Sequence, residues 1–305
     1  MSTILVTGLN GLIGRAVADR LVRDGRSIVG MDQRVSPHEP FPVLTHDLPD
    51  PHRWHEVIQR FGITAIIHPG GISGPMLLPD APARIVDINL TGVAGLLEAA
   101  RIHRIRRVVC FSSVLAYGDQ PDLSPATERT LLQPTTMYGA TKAAGDALIN
   151  AYHAQFGVDA VSLRVAGCYG PGRVTPCVIR LTLEAALRGE AARFRSDPRR
   201  TRQFVYVDDV VDAVVAALDT PALAQRTYNL GPGVAHSLSE VEAAVRTCLP
   251  EARIIDDPNG PLVGSFGLGA LSIEAAQRDL AFSPRMPLAE GVKRTLAWVK
   301  QRGGG

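Results

Sequence analysis

The sequence predicts an α/β fold, a doubly wound parallel sheet with helices on both faces and a smaller C-terminal lobe closing over one end. Three observations carry this. Short runs of branched apolar residues alternate with helical stretches through roughly residue 170. The first run leads into a glycine-rich turn and then a helical stripe. From about residue 171 the alternation loosens, and proline and glycine punctuate shorter elements.

Taken in order, Ile4-Leu5-Val6-Thr7 reads as a buried strand running into Gly8-Leu9-Asn10-Gly11-Leu12-Ile13-Gly14. Leu12, Ile13, Ala16, Val17, Leu21 and Val22 then mark one face of a helix that ends near Gly25. Strand, glycine turn and helix in that order form a dinucleotide site. Gly8, Gly11 and Gly14 permit close backbone approach, while the helix start at Leu12 and Ile13 faces the pyrophosphate. The next strand, Ser27-Ile28-Val29-Gly30-Met31-Asp32, ends in a carboxylate 18 residues after Gly14. Asp32 is placed to bind the adenosine ribose hydroxyls and to repel a 2′-phosphate, which favours NAD over NADP. Arg34 is the competing feature, because a guanidinium accommodates that phosphate.

Further strands are expected at residues 65–68, 107–112 and 160–165, with helices near 80–102 and 136–156. These make residues 1–170 a Rossmann-type NAD-binding domain, to which part of 204–230 returns, with 226–230 joining the main sheet. Residues 171–305 are mainly a substrate-binding lobe, and helices at 210–218 and 238–248 are placed within it. Gly303-Gly304-Gly305 reads as a flexible tail.

The chemistry centres on Tyr138-Gly139-Ala140-Thr141-Lys142. On a helix, this i, i+4 spacing puts phenol and ammonium on one face, so the cation is expected to favour the phenolate. A phenolate beside a hydride acceptor can take the proton of an alcohol. Ser112-Ser113, at the end of an expected strand, supplies hydroxyls to hold the reacting oxygen; strand register decides which serine faces the site.

These residues, with His46-Asp47-Leu48, Ile66-Ile67-His68, Asn89, Tyr117-Gly118, Leu163-Arg164, Tyr169-Gly170-Pro171-Gly172 and the run Arg202 to Asp209, resemble the extended short-chain dehydrogenase/reductases, the NAD-dependent epimerase/dehydratase family. The likeness covers nearly the whole chain. It implies that Ser113 is the active-site serine, four residues before Tyr117, that Tyr138 is the proton-transfer group and that Lys142 binds the nicotinamide ribose. It also implies adenine contacts at Asp47 and Leu48, cofactor contacts at Pro69, Gly70, Gly71 and Asn89, and a homodimer formed by helices 80–102 and 136–156. Asn89 has a second reading as a backbone anchor beside the site.

On the substrate side the chain departs from these relatives. Val114-Leu115 follows Ser113 where dehydratases carry acids, which argues against elimination of water. Gly167 stands where nucleotide-sugar epimerases usually have an asparagine that helps hold the diphosphate. Arg202 matches one of their phosphate-binding arginines, but residues 258–269 contain no second. Arg195, Arg199 and Arg200 lie near Arg202, and Ser73 is a candidate substrate contact.

These gaps favour oxidation of a secondary alcohol, or reduction of the carbonyl, in a smaller sugar, sugar acid or related hydroxy compound. The alternative is a nucleotide-sugar 4-epimerase that keeps NAD bound. A non-enzymatic dinucleotide sensor ranks last, because Ser113, Tyr138 and Lys142 are all retained.

The 305 residues are 46% hydrophobic, enough for a substantial core. A net charge of +2 gives no broad footprint for nucleic acid. The four cysteines have no metal or disulfide spacing, and no apolar run is long enough for a membrane. A cytoplasmic protein without metal or membrane association is expected.

Overall fold

A computed structural model describes residues 2–34, 38–48, 50–195, 197, 202–261 and 267–303. Arg199, Arg200, Gly304 and Gly305 lie outside the described residues. In chain order the elements begin β1 (Thr3–Thr7), α1 (Leu12–Arg23), β2 (Ser27–Asp32), β3 (Val43–Thr45), α2 (Pro51–Phe61), β4 (Ile63–His68), α3 (Pro82–Val86), α4 (Gly92–Ile102), β5 (Arg107–Ser113), α5 (Met137–Phe156) and β6 (Ala160–Val165). There follow β7 (Gly167–Tyr169), α6 (Val178–Leu187), β8 (Ala192–Phe194), β9 (Phe204–Tyr206), α7 (Val207–Asp219), β10 (Thr227–Leu230), α8 (Leu238–Arg246), β11 (Ile254–Asp256), α9 (Glu274–Leu280) and α10 (Leu288–Gly303).

The main sheet has the order β10-β6-β5-β4-β1-β2-β3, and all its pairs are parallel. Alternation along its strands sends Ile4, Val6, Ala65, Ile67 and Val109 into one apolar layer. Leu5, Ile66, Val108 and Cys110 enter the layer on the opposite face. The chain reverses direction across the sheet between β1 and β4, and in open α/β sheets ligands bind outside the carboxyl ends of strands at such a switch.

Local chemistry sets the helix ends. Asp50 caps α2 by accepting from His52 N, Pro51 opens it, and left-handed Gly62 closes it. Thr136 accepts from Gly139 N at the start of α5, and left-handed Gly157 ends it. Ser237 and Glu240 form a capping box on α8.

Three expectations are corrected. The helix at 210–218 is not part of a separate lobe: α7 packs on α1 and on β4 and β5, because its buried Val210, Val214 and Ala217 complete the apolar layer over that face. The helix at 80–102 is interrupted by a π turn at Asp87–Thr91, whose extra residue per turn brings Asn89 inward. Val22, placed on the buried stripe of α1, is 38% exposed because the core-facing positions are Gly14, Val17, Ala18 and Leu21.

Candidate active site

One cavity of about 840 Å³ runs along the carboxyl ends of β1, β2, β4 and β5 and continues between the loops beyond β6. Its cofactor half is built mainly of backbone. Gly8, at φ +57°, lies so close to the loop after β4 that a Cβ there would meet Gly70 Cα at 2.7 Å. A Cβ on Gly14 would stand 2.1 Å from Gly8 O, so strand and helix meet only if that side chain is absent. Gly11 gives α1 no side-chain cap, which leaves the first helix amides, at Leu12 and Ile13, for an anion.

Asp32 also lines this half, its Oδ2 accepting from Asn10 N at 2.9 Å and its Oδ1 from Gln33 N at 2.7 Å. Arg34 is not among the lining residues; it uses its carbonyl, which accepts from Asn10 Nδ2 at 2.6 Å. An uncapped helix start, a cradle that any Cβ would fill and a carboxylate at the end of β2 fit NAD.

The loop after β4 places Pro69, Gly70, Gly71 and Ser73 on the cavity wall. Thr7 Oγ1 accepts from Gly70 N at 3.1 Å and lies 2.8 Å from His68 Nδ1. Burial pushes His68 down to about 3, and the charges of Lys142 and His46 act in the same direction, so its imidazole is neutral.

Asn89 does not line the cavity. Its Oδ1 accepts from Ile72 N at 2.8 Å and its Nδ2 donates to Ile72 O at 3.1 Å. These two bonds support the second reading, a clamp on the Gly70–Ser73 backbone. Asp47 is likewise turned away: its carboxylate pairs with Arg84 at 2.6 Å, while His46 and Leu48 face inward. The strand-end geometry exposes Asp47 to a cation on α3, and that pairing competes with an adenine contact.

Ser113, Tyr138 and Lys142 converge on the cavity, as the spacing requires. Ser113 ends β5, accepts from Leu115 N at 3.1 Å, and its hydroxyl draws the Tyr138 phenol down. Neighbouring Ser112 donates instead to buried Asp146 at 3.1 Å, so register favours Ser113 as the site serine. Asp146 also accepts from Ser162 and pairs with Arg164 at 2.7 Å, which ties α5 to β5 and β6.

The expected electrostatics of the pair need correction. Burial holds Tyr138 above the ordinary phenol range, and the influences that lower it are the Ser113 hydrogen bond and the charge of Arg173. Lys142 Nζ donates to Phe111 O at 2.9 Å and lies 5.7 Å from the Tyr138 ring centroid. Burial lowers the Lys142 ammonium, while Cys110 and Asp146 oppose that shift. The ammonium is thus anchored at a strand carbonyl.

The substrate half is lined by side chains from loops and short elements, including Cys168, Arg173, Thr175, Cys177, Arg202, Gln203, Phe204 and Pro261. Arg202 is buried, which lowers its guanidinium, and the charge of Asp256 opposes this. Arg195 is exposed and outside the lining. Sequence reasoning missed Arg173; the only signal was a basic residue directly after Tyr169-Gly170-Pro171-Gly172. Gly167 lines the cavity, and a Cβ there would meet Gln203 O at 2.9 Å. The parallel pairing of β7 with β9 therefore opposes an asparagine at this position. Among the described residues, no helix is long and apolar enough to cross a membrane.

Fold and site together define an NAD-dependent enzyme of the short-chain dehydrogenase/reductase type. The sequence model of the NAD dependent epimerase/dehydratase family matches residues 4–231, and the chain belongs to that family. It is similar to the UDP-glucose 4-epimerase of Mycolicibacterium smegmatis, 30% identical over 314 residues, covering 98% of each chain. It is also 25% identical to the UDP-glucuronate 4-epimerase of Thermodesulfobacterium geofontis, over 99% of this chain and 97% of that one. The solved UDP-glucose 4-epimerase of Thermus thermophilus, in complex with NAD, superposes with a TM-score of 0.84 at 26% identity, covering 98% of this chain and 99% of that one.

Proposed function

We propose that this chain is an NAD-dependent 4-epimerase of a nucleotide sugar. The observation that carries the reading is the convergence of Ser113, Tyr138 and Lys142 in one cavity with the glycine cradle and Asp32. Whole-length similarity to named 4-epimerases supports it over a dehydrogenase that releases NADH. The bound NAD would supply reversible hydride acceptance. Tyr138 takes the proton of the C4 hydroxyl as hydride leaves that carbon, and Ser113 holds the oxygen. Lys142 positions the nicotinamide ribose. Once the keto sugar has turned its other face, Tyr138 gives the proton back; with reversible hydride acceptance supplied by NAD, C4 would be inverted without net redox change. Gly8, Gly11, Leu12, Ile13 and Gly14 cradle the pyrophosphate, and Asp32 selects NAD.

The test is incubation with UDP-glucose or UDP-glucuronate. Appearance of the 4-epimer by NMR, without accumulated absorbance of NADH, supports the reading; stoichiometric NADH and an oxidised product refute it. That second result would favour a dehydrogenase; the crowded Gly167 and the absence of arginine in residues 258–269 support a smaller sugar acid as its substrate, tested by NADH formation from free galacturonate.

The proposed assembly is a cytoplasmic homodimer across α4 and α5, where exposed Ala147 and Ala151 permit close helix approach. A monomer mass in light scattering would refute it.

A further inference from the structure

Tyr138, Lys142 and Asp146 are spaced four apart on α5 and so share one face of it. That face lies along β5. Lys142 Nζ donates to Phe111 O at 2.9 Å, and one turn further on Asp146 Oδ2 accepts from Ser112 Oγ at 3.1 Å. Adjacent residues of the strand therefore engage successive turns of the helix, and the next residue along the strand is Ser113. The proposed reaction uses Ser113, Tyr138 and Lys142. Asp146 does not line the cavity and has no part in it.

The Asp146 carboxylate is nevertheless held from two strands. Besides Ser112 of β5, it accepts from Ser162 Oγ and from Arg164 Nε, at 2.7 Å, both on β6. Arg164 is fixed in turn, its Nη1 donating to Tyr117 OH at 2.9 Å and to Glu128 O at 3.1 Å. All four members of the cluster, Ser112, Asp146, Ser162 and Arg164, are buried. A buried ion pair contributes little net stability, because desolvation offsets the attraction. What it does supply is one defined position for the helix face that carries it.

The second consequence is electrostatic. Lys142 is half-buried and makes no ion pair among the described residues. Burial lowers its ammonium, and Cys110 and Asp146 oppose that. The other titratable groups against Lys142 bring no negative charge at neutral pH. Burial pushes Cys110 of β5 up to about 12, His68 of β4 is neutral, and Tyr138 is held above the ordinary phenol range. The carboxylate that remains is Asp146, one helical turn away.

We propose that Asp146 is a positioning residue that acts through Lys142: it locks α5 in register on β5 and supplies the compensating charge for the buried ammonium. The inference rests on the role given to Lys142 above, and its first readout requires no turnover.

The chain has only three lysines, Lys142, Lys293 and Lys300, so NMR of protein labelled at lysine Cε resolves the titration of Lys142 without ligand. Asp146→Asn, the isosteric change, should move that midpoint to lower pH, because the charge favouring the ammonium is gone while Arg164 stays. With the UDP-sugar that the protein turns over, kcat should fall by about 10- to 100-fold at little change in KM, the scale of a small misplacement in the site. The alkaline limb of the activity profile should move to lower pH with the midpoint. Asp146→Glu keeps the charge and should hold the midpoint near that of the unaltered protein. Asp146→Asn leaves Arg164 buried without its partner, so Asp146→Asn/Arg164→Gln repeats the comparison with no unpaired charge in the pair. A lower Tm with an unmoved Lys142 midpoint in both neutral variants overturns the inference and makes Asp146 a structural tie alone. A midpoint that moves in a protein inert toward nucleotide sugars refutes the epimerase reading and sustains the assignment of Asp146.

Discussion

The two halves of the cavity are made of different material. The cofactor half is backbone: helix amides at Leu12 and Ile13, glycines at 8, 14 and 70, and one carboxylate at the end of β2. The substrate half is side chain: Ser73, Arg173, Arg202, Gln203 and Phe204, drawn from loops and one short strand pair. Backbone contacts depend on what is missing at a position, so the first half should fail abruptly when a methyl group is added. Side-chain contacts depend on what is present, so the second should lose affinity and selectivity by degrees.

The largest effect is expected where the halves meet. Tyr138→Phe removes the proton-transfer group and should lower kcat by about 10²- to 10⁴-fold while NAD binding, measured calorimetrically, is retained. Retained turnover would break the mechanism as drawn.

Gly14→Ala should abolish NAD binding, because its Cβ would stand 2.1 Å from Gly8 O. Overpacking there should also destabilise the fold by about 1–3 kcal/mol. Thermal unfolding with and without NAD measures both effects, and a normal NAD-dependent rise in Tm would refute the cradle.

Asn89→Ala should be a graded lesion by contrast. Losing both bonds to Ile72 leaves backbone groups of the Gly70–Ser73 loop unsatisfied, at a cost of about 1–3 kcal/mol. It should raise the Kd for NAD without changing the NAD-to-NADP ratio. Asp32→Ser should change that ratio, by about tenfold or about 1.4 kcal/mol, because it removes the charge that repels a 2′-phosphate.

The smallest expected effect is on pH dependence. Burial already holds Tyr138 high, and the Ser113 hydrogen bond is one of two influences pulling it down. Ser113→Ala should therefore move the acidic limb of the activity profile to higher pH, since the phenol must lose its proton to act as a base. A shift to lower pH would reverse the assigned role of Ser113.

The difference between the halves also explains what could be read from the chain. Strands 27–32 and 160–165 emerge with the expected bounds, because a strand buried on both faces is a continuous apolar run. The glycine turn was legible because each glycine answers a local steric demand. Ser113, Tyr138 and Lys142 were legible through spacing on one strand and one helix. The partners of Asp47 and Asn89 were not legible for the opposite reason: Arg84 and Ile72, which they meet, are remote in sequence and reach them only through α3 and the π turn. Arg173 was invisible because nothing periodic marks a loop residue that faces a cavity.

The sequence by itself determined the sheet, the dinucleotide turn and the grouping of Ser113, Tyr138 and Lys142, since each follows from residues within a few turns or one strand of one another. Tertiary structure decided which serine faces Tyr138, that Asn89 is a clamp and Asp47 a surface partner, and that Arg173 joins the site. Those outcomes depend on register and on distant segments meeting, and a hydrogen bond or ion pair acts only between groups the fold has brought within a few ångströms.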